Sequence, residues 1–197
     1  QIMASLKKAG MLENTLIVFS SDNGGPPPGN NAPLRDYKAT IYEGGTRAAA
    51  FAFWPGQIPA GKKISGSMHM IDWYPTLVPL AGGSLKQALP IDGKDVWPMI
   101  TKGEPSPHKA ILSVSTRGIS QAAVRMGDWK LIVASIGETA DGTPQKQPKK
   151  YEPISLFNLL EDPGESRNLA STHPDKVAEL RKELSALLKD AVAPGGK

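Results

Sequence analysis

The sequence predicts an α/β protein in two parts: a sheet segment with helices, then a small antiparallel four-stranded sheet packed by a C-terminal helix. The first part is indicated by a continuous apolar run at residues 15–21 that follows a helix. The second is indicated by four short strand-like stretches separated by turn residues. Apolar residues at helical spacing after Pro174 indicate the final helix.

The elements of the first part follow from local pattern. An amphipathic helix ends at Gly10, and the apolar run at residues 15–21 is typical of a strand buried on both faces, as in a parallel sheet. Residues 48–54 predict a second strand. Residues 70–82 predict a helix with Asp72 as its N-cap and Pro75 in its first turn, where a missing N–H is tolerated.

A turn-rich segment at residues 89–107 separates the two parts, so we expect domains at residues 1–107 and 108–197. Strands are predicted at residues 110–115, 121–126, 129–134 and 156–159, with a tight turn at Gly127 and Asp128. A long polar loop is expected at residues 135–153 and a frayed tail at residues 194–197.

Composition excludes several functions. The 197 residues are 40% hydrophobic and 21% charged, as in ordinary globular proteins, and no apolar run is long enough to cross a membrane. With no cysteine, disulfides and thiolate chemistry are excluded. The net charge of +4 is diffuse, and its densest group, Lys146, Lys149 and Lys150, is typical of a solvated loop; we therefore expect no nucleic-acid partner.

The chain opens inside a helix with no start signal before it. We therefore expect that the protein has a preceding segment, in which any targeting sequence would lie.

Asp22 and Asn23 come directly after the first predicted strand, where open α/β sheets place their ligands. A carboxylate and an amide oxygen suit Ca²⁺ or Mg²⁺ better than zinc. The turn at Gly24 and Gly25 would let both side chains converge on one ion. The alternative is an Asx turn that merely ends the strand.

Residues 21–25 and 34–47 together resemble the sulfatase family. The family has a strand ending in Asp-Asn-Gly-Gly, a lysine five residues before Glu-Gly-Gly, and an arginine two residues after it. Asp22, Lys38, Glu43 and Arg47 stand at these positions. Residues 71–77, 156–159, 162–163, 165 and 168–169 match later family motifs, and residues 91–107 look most like the arylsulfatase B (N-acetylgalactosamine-4-sulfatase) branch.

The resemblance implies an alkaline-phosphatase-like fold, a calcium cofactor bound by Asp22 and Asn23, and Lys38 as a catalytic residue that contacts the sulfate. A fixed ammonium would stabilise the charge that develops as the S–O bond breaks. Lys38 could instead be a solvated loop lysine. His69 could line the mouth of a substrate pocket, or could be a satisfied, partly buried side chain.

Glu43, Gly44, Gly45 and Arg47 are expected to support this loop. Glu43 and Arg47 could pair with each other or with nearby backbone, and the two glycines are expected to supply unusual backbone angles.

Sulfatases use a formylglycine made from Cys or Ser in a Cys/Ser-x-Pro-x-Arg motif, and this chain has no such motif. Ca²⁺ takes about six to eight oxygens, and Asp22 and Asn23 supply two or three. We therefore expect the nucleophile and further ligands in a missing N-terminal half, and little activity from this chain alone.

Three functions remain open: hydrolysis of a sulfate ester, such as a sulfated sugar or an aryl sulfate; hydrolysis of a phosphate ester or phosphonate by a relative of the same superfamily; or a non-catalytic structural or binding module. Family resemblance implies a periplasmic, secreted or lysosomal-type location.

Overall fold

The computed structural model of the protein describes residues 1–115, 121–134 and 152–190. The contacts within it divide the chain into two compact units. One comprises Gln1–Asp22 and Ala48–Lys109, and the other comprises Asn23–Arg47 and Ala110–Lys197. The domain boundary near residue 107 stays a prediction. That the segment Asn23–Arg47 groups with the C-terminal residues is a relationship that no local pattern signals.

Helices and strands are numbered in chain order. They are α1 (Ile2–Lys8), β1 (Ile17–Ser20), α2 (Glu43–Thr46), β2 (Ala50–Phe53), α3 (Trp73–Leu80), α4 (Trp97–Lys102), β3 (Ile111–Ser115), β4 (Gln121–Met126), β5 (Trp129–Ala134), β6 (Ile154–Asn158) and α5 (Pro174–Asp190). Among these described helices, none is both long and apolar enough to cross a membrane.

Strands β1 and β2 form a two-stranded antiparallel sheet in the first unit, with Phe19 opposite Phe51. These two rings stack with centroids 5.3 Å apart and are 51% and 55% exposed. The expectation of parallel pairing and burial on both faces is therefore wrong for the described residues. The apolar run predicts an apolar surface, but it does not predict which segment covers that surface. Ala52, on β2, packs against the buried core of this unit.

Helix α4 was not predicted, because residues 89–107 are dense in turn-forming residues. The helix and the residue before it nevertheless form the buried core of the first unit, which consists of Val96, Met99 and Ile100. Pro98 lies in the first turn, where it forfeits no hydrogen bond, and Gly103 ends the helix with φ +76°.

The helix predicted at residues 70–82 is present, and Asp72 occupies the N-cap position of α3 as predicted, but its side chain makes no capping hydrogen bond to that helix. A 3₁₀ turn, Met70–Asp72, precedes α3, and His69 is the capping residue. His69 Nδ1 accepts from the N–H of Ile71 at 3.4 Å, while Asp72 Oδ2 accepts from the N–H of His69 at 2.6 Å. The Asp72 side chain acts one turn earlier instead, as the reciprocal member of the capping box with His69.

The second unit contains the predicted four-stranded antiparallel sheet, in the order β3-β4-β5-β6. Gly127, with φ +58°, forms the predicted tight turn between β4 and β5. Helix α5 begins at Pro174 as predicted and buries Leu180 and Leu184 against the sheet. Residues 135–151 of the loop predicted at residues 135–153, including Lys146, Lys149 and Lys150, lie outside the described residues. The tail predicted at residues 194–197 also lies outside them.

Candidate functional site

The segment Asn23–Arg47 is organised around the side chain of Asn31. Its Nδ2 donates to the carbonyl oxygens of Gly25, Asp36 and Gly44 at 2.9, 3.1 and 3.0 Å, and its Oδ1 accepts from the N–H of Gly25 at 3.2 Å. The hydrogen bonds of this one amide side chain therefore hold the loop in place where regular backbone hydrogen bonds of a helix or sheet are missing. No local pattern in the sequence marks Asn31, because its hydrogen bonds reach residues up to thirteen positions away.

Three glycines allow two parts of this loop to approach each other. A Cβ on Gly24 would lie 1.8 Å from the carbonyl oxygen of Gly44, and one on Gly45 would lie 2.3 Å from that of Thr40. The N–H of Gly24 donates to the carbonyl oxygen of Gly45 at 3.0 Å. Gly44 and Gly45 belong to helix α2 and do not have positive φ angles, so the expectation of unusual backbone angles is wrong. They are needed because they lack a Cβ.

Lys38 lies in the same loop, and its N–H donates to the carbonyl oxygen of Gly25 at 3.1 Å. Its side chain is exposed. Asp36 and Ala39, on either side, have φ angles of +63° and +73°. Such angles cost about 1–2 kcal/mol each for residues with a Cβ, and they persist where the surrounding structure imposes them. The backbone that carries Lys38 is thus held in a defined conformation; its sulfate contact stays a prediction.

Asp22 and Asn23 directly follow strand β1. Asp22 is exposed and ends the first segment of one unit; Asn23 is half-buried and begins the other. Asn23 Nδ2 donates to the carbonyl oxygen of Gly24 at 2.9 Å, so Oδ1 is the end of the amide that could face an ion. Both donors have the hard oxygen chemistry that Ca²⁺ prefers, and their assignment as ligands stays a prediction.

These two residues would not complete a calcium site by themselves. Ca²⁺ takes about six to eight oxygens, and a carboxylate and one amide supply at most about three. Within residues 1–115, 121–134 and 152–190, no group of three or more His, Cys, Asp or Glu side chains could hold a metal ion. A calcium ion would therefore need ligands from elsewhere in the protein.

Glu43 is held by buried charges from the C-terminal sheet. Its Oε1 accepts from Lys130 Nζ at 2.9 Å, and both side chains are about 5% exposed. The same ammonium lies 2.9 Å from Glu165 Oε1. Arg125 and Arg47 approach Glu43 Oε2 at longer distances, 3.6 and 4.0 Å. Glu43 and Arg47 were expected to pair with each other or with nearby backbone, and they approach to 4.0 Å. The shorter contact of Glu43 is with Lys130, which sequence reasoning missed because it is 87 positions away.

Glu165 completes this group from a loop after β6. Its side chain is fully buried, its φ is +50°, and its Oε2 accepts from the N–H of Glu43 at 2.6 Å. Burial raises the pKa of the Glu165 carboxyl, and the nearby Lys130 ammonium offsets part of that rise. The sequence analysis had singled out Glu165 only as a family motif position.

In the first unit, Asp72 joins three segments of chain. Its oxygens accept from the N–H groups of His69 and Lys94 at 2.6 and 2.8 Å. His108 Nε2 lies 2.9 and 2.8 Å from the two oxygens, with the histidine 9% and the aspartate 0% exposed. No local pattern in the sequence marks His108 as the partner of Asp72. The side chain of His69 is exposed, and its predicted contact with substrate remains a prediction.

A small polar cavity of about 220 Å³ lies in the second unit. Arg35 contributes to it and stacks on the ring of Tyr42, with the guanidinium carbon 3.9 Å from the ring centroid. Its lining consists of Arg35, Tyr42, Glu152, Ser155, Phe157, Ser166 and Asn168.

Comparison with known proteins shows which proteins this chain is similar to. The family model described as Sulfatase matches residues 1–84. Arylsulfatase J of Mus musculus is 33% identical over 97% of this chain and 38% of its own length, and arylsulfatase A of Homo sapiens is 32% identical over 94% and 39%. The crystal structure of Ps i-CgsB in complex with k-i-k-neocarrahexaose is 33% identical, with a TM-score of 0.79, over 94% of this chain and 39% of that one.

The chain thus spans about two-fifths of the length of the relatives it matches. The matches include arylsulfatases A and J and do not single out the arylsulfatase B branch. They agree with the motifs at residues 21–25 and 34–47 and with an alkaline-phosphatase-like α/β fold that continues into a four-stranded antiparallel sheet. On this combined evidence, the chain belongs to the sulfatase family.

Proposed function

We propose that the whole protein is a sulfuric ester hydrolase, to which this chain contributes Lys38 as a sulfate-binding cation and Asp22 and Asn23 as calcium ligands. The observation that carries the proposal is the hydrogen bond from the Lys38 N–H to the Gly25 carbonyl oxygen. It ties the backbone of the lysine to the turn that begins at Asn23. A cation and an oxygen donor on adjoining backbone suit an anion that bridges to a metal ion.

The chemistry needs charge stabilisation at two places. Cleavage of the S–O bond expels an alkoxide or phenoxide, and an ammonium fixed against a sulfate oxygen favours that transition state. A calcium ion, when bound, would supply additional positive charge at the sulfate. The chain has no Cys/Ser-x-Pro-x-Arg motif, so the nucleophile, a formylglycine in this family, would come from the rest of the protein. The chain alone is expected to be inactive.

A sulfated sugar is the favoured substrate class, with an aryl sulfate as the simpler alternative. A relative of known structure binds k-i-k-neocarrahexaose, which supports a saccharide. His69, which is exposed in the first unit, would contact the part of the substrate beyond the sulfate. A periplasmic, secreted or lysosomal-type location would suit such a substrate.

The proposal is tested on the full-length protein with p-nitrophenyl sulfate and p-nitrophenyl phosphate. Lys38→Ala should lower kcat for the sulfate ester by about 10²–10³-fold, the usual effect of removing one charge-stabilising group. Lys182→Ala, an exposed lysine on α5, is the matched control and should leave turnover unchanged. Unchanged turnover in Lys38→Ala would refute the sulfate contact. Hydrolysis of the phosphate ester alone would instead indicate a phosphoesterase. Hydrolysis of neither ester, together with no release of sulfate from a sulfated oligosaccharide, would indicate a non-catalytic module.

A further inference from the structure

Three buried charges connect the Lys38 loop to the C-terminal sheet, and we call Glu43, Lys130 and Glu165 the buried triad. We infer that Lys130 and Glu165 are positioning residues, which act through Glu43 to hold the loop bearing Lys38 and Asn23 in its binding conformation. What the loop binds rests on the proposed function. The positioning itself rests on the contacts within the second unit.

Lys130 supplies the rigid end of this connection. It lies within β5, with Arg125 opposite it on β4 and Phe157 opposite it on β6, so its backbone is fixed from both sides. Its ammonium lies 2.9 Å from an oxygen of Glu43 and 2.9 Å from an oxygen of Glu165. An ammonium between two carboxylates defines where both acids lie.

Glu165 reinforces the same position by two backbone contacts. Its Oε2 accepts from the N–H of Glu43 at 2.6 Å, and its carbonyl oxygen accepts from Arg35 Nη1 at 2.9 Å. The carbonyl oxygen of Arg35 in turn accepts from the N–H of Gly44 at 2.8 Å. Helix α2 is therefore bonded to the Glu165 loop directly, through Glu43, and indirectly, through Arg35.

From helix α2 the contacts continue to Lys38. The carbonyl oxygen of Gly45 accepts from the N–H of Gly24, and the carbonyl oxygen of Gly25 accepts from the N–H of Lys38, at 3.0 and 3.1 Å. Asn31 joins Gly25 to Gly44. Every link from β5 to Lys38 is a hydrogen bond or an ion pair of defined length.

Energetics favour a positioning role over a purely stabilising one. Apolar residues of similar volume often serve a buried site as well as an ion pair does, because charges lose their hydration on burial. Unlike an apolar contact, a hydrogen-bonded ion pair holds its two charged groups at a defined distance and orientation. Loss of Lys130 would leave two buried carboxylates close together, and their repulsion would displace Glu43, the one of the two that belongs to the Lys38 loop.

The test uses the full-length protein with Lys130→Met and with Glu43→Gln, a milder change that keeps the shape of the side chain. The matched control is Leu184→Ala, which opens the core on the α5 side of the sheet without touching the triad. Two quantities are measured well below each variant's Tm. The first is hydrogen exchange of the Gly24, Gly44 and Lys38 amides relative to the amides of β4 and β5. The second is kcat/KM for the sulfate ester, with the inhibition constant of inorganic sulfate.

We expect the three loop amides to exchange about tenfold faster or more in Lys130→Met, and less so in Glu43→Gln, while the sheet amides stay protected. We expect kcat/KM to fall by about tenfold or more and sulfate to bind correspondingly more weakly. Leu184→Ala should accelerate sheet and loop amides together and keep kcat/KM near that of the unaltered protein. If Lys130→Met fails to fold, Glu43→Gln decides the question.

Unchanged relative exchange of the loop amides in the triad variants would overturn the positioning role, whatever the protein catalyses. Faster loop exchange in a protein that hydrolyses no sulfate ester would uphold the positioning role and refute the proposed function instead. Faster loop exchange with unchanged kcat/KM and sulfate inhibition would refute the link between the triad and binding.

Discussion

A Cβ atom placed on Gly24 would lie 1.8 Å from the carbonyl oxygen of Gly44, a distance that no side chain can occupy. The two glycines belong to separate motifs, Asp-Asn-Gly-Gly and Glu-Gly-Gly, which are read along the chain as independent signals. This contact explains why position 24 needs glycine, and a Cβ on Gly44 would itself lie 2.2 Å from the carbonyl oxygen of Asp36. A hydrogen bond from the N–H of Gly24 to the carbonyl oxygen of Gly45 also joins the Asp-Asn-Gly-Gly turn directly to helix α2.

Gly24→Ala should therefore destabilise the second unit strongly. The new methyl group would meet backbone atoms that cannot rotate away, so we expect a loss of about 3 kcal/mol or more in the free energy of unfolding. Chemical denaturation followed by circular dichroism measures this loss.

Gly127→Ala is the control for Gly24→Ala. A Cβ there meets no atom within 4 Å, but φ is +58°, so the expected loss is the smaller backbone cost of about 1–2 kcal/mol. Equal losses in the two variants would contradict the close approach of Gly24 and Gly44.

Asp72→Asn should destabilise the first unit. The change removes the negative charge beside His108, and one of the two oxygens that now accept from the N–H groups of His69 and Lys94 becomes a donor. Breaking a buried, hydrogen-bonded acid of this kind typically costs about 3–5 kcal/mol. Thermal unfolding measures the effect. Asp92→Asn, at an exposed aspartate, should change the Tm little, and a similar shift in both variants would argue against the special role of Asp72.

Glu165→Gln should alter how stability depends on pH. Burial raises the pKa of the Glu165 carboxyl above its ordinary value of 4.5, so the folded state holds this proton more tightly than the unfolded chain does. The contribution of Glu165 to stability is then fully present below pH 4.5, and it is lost as the pH rises through the folded-state pKa.

The difference in unfolding free energy between the unaltered protein and Glu165→Gln should consequently shift in favour of the unaltered protein as the pH falls from 7 towards 4.5. Urea denaturation at a series of pH values measures it. A difference that stays constant, or that moves the other way, would show that the pKa of this carboxyl is not raised.

Local pattern was enough for most of the fold. Strands β4 and β5 and the Gly127 turn lie where alternating apolar residues and turn chemistry predict them, and α5 begins at Pro174. These elements form from near neighbours in sequence. Helix α4 was missed because the surrounding Pro and Gly residues mask it, although its Pro98 and Gly103 are the residues that begin and end it.

The site was less predictable, because its contacts are long-range. Glu43 meets Lys130 across 87 positions, and Asp72 meets His108 across 36. A lone lysine in a strand and a lone histidine after a proline give no local sign of an acidic partner. The Glu-Gly-Gly motif indicated that a loop is supported, but the supporting cation could be found only in three dimensions.

The central claim, made as a proposal, is that Asp22 and Asn23 bind a calcium ion and that Lys38 binds a sulfate group. A crystal structure of the full-length protein with calcium and inorganic sulfate tests it most directly. We predict oxygens of Asp22 and Asn23 at about 2.3–2.6 Å from Ca²⁺ and Lys38 Nζ at about 2.7–3.2 Å from a sulfate oxygen. A bound calcium ion with Asp22 and Asn23 turned away from it, or a sulfate bound out of reach of Lys38, would contradict the claim.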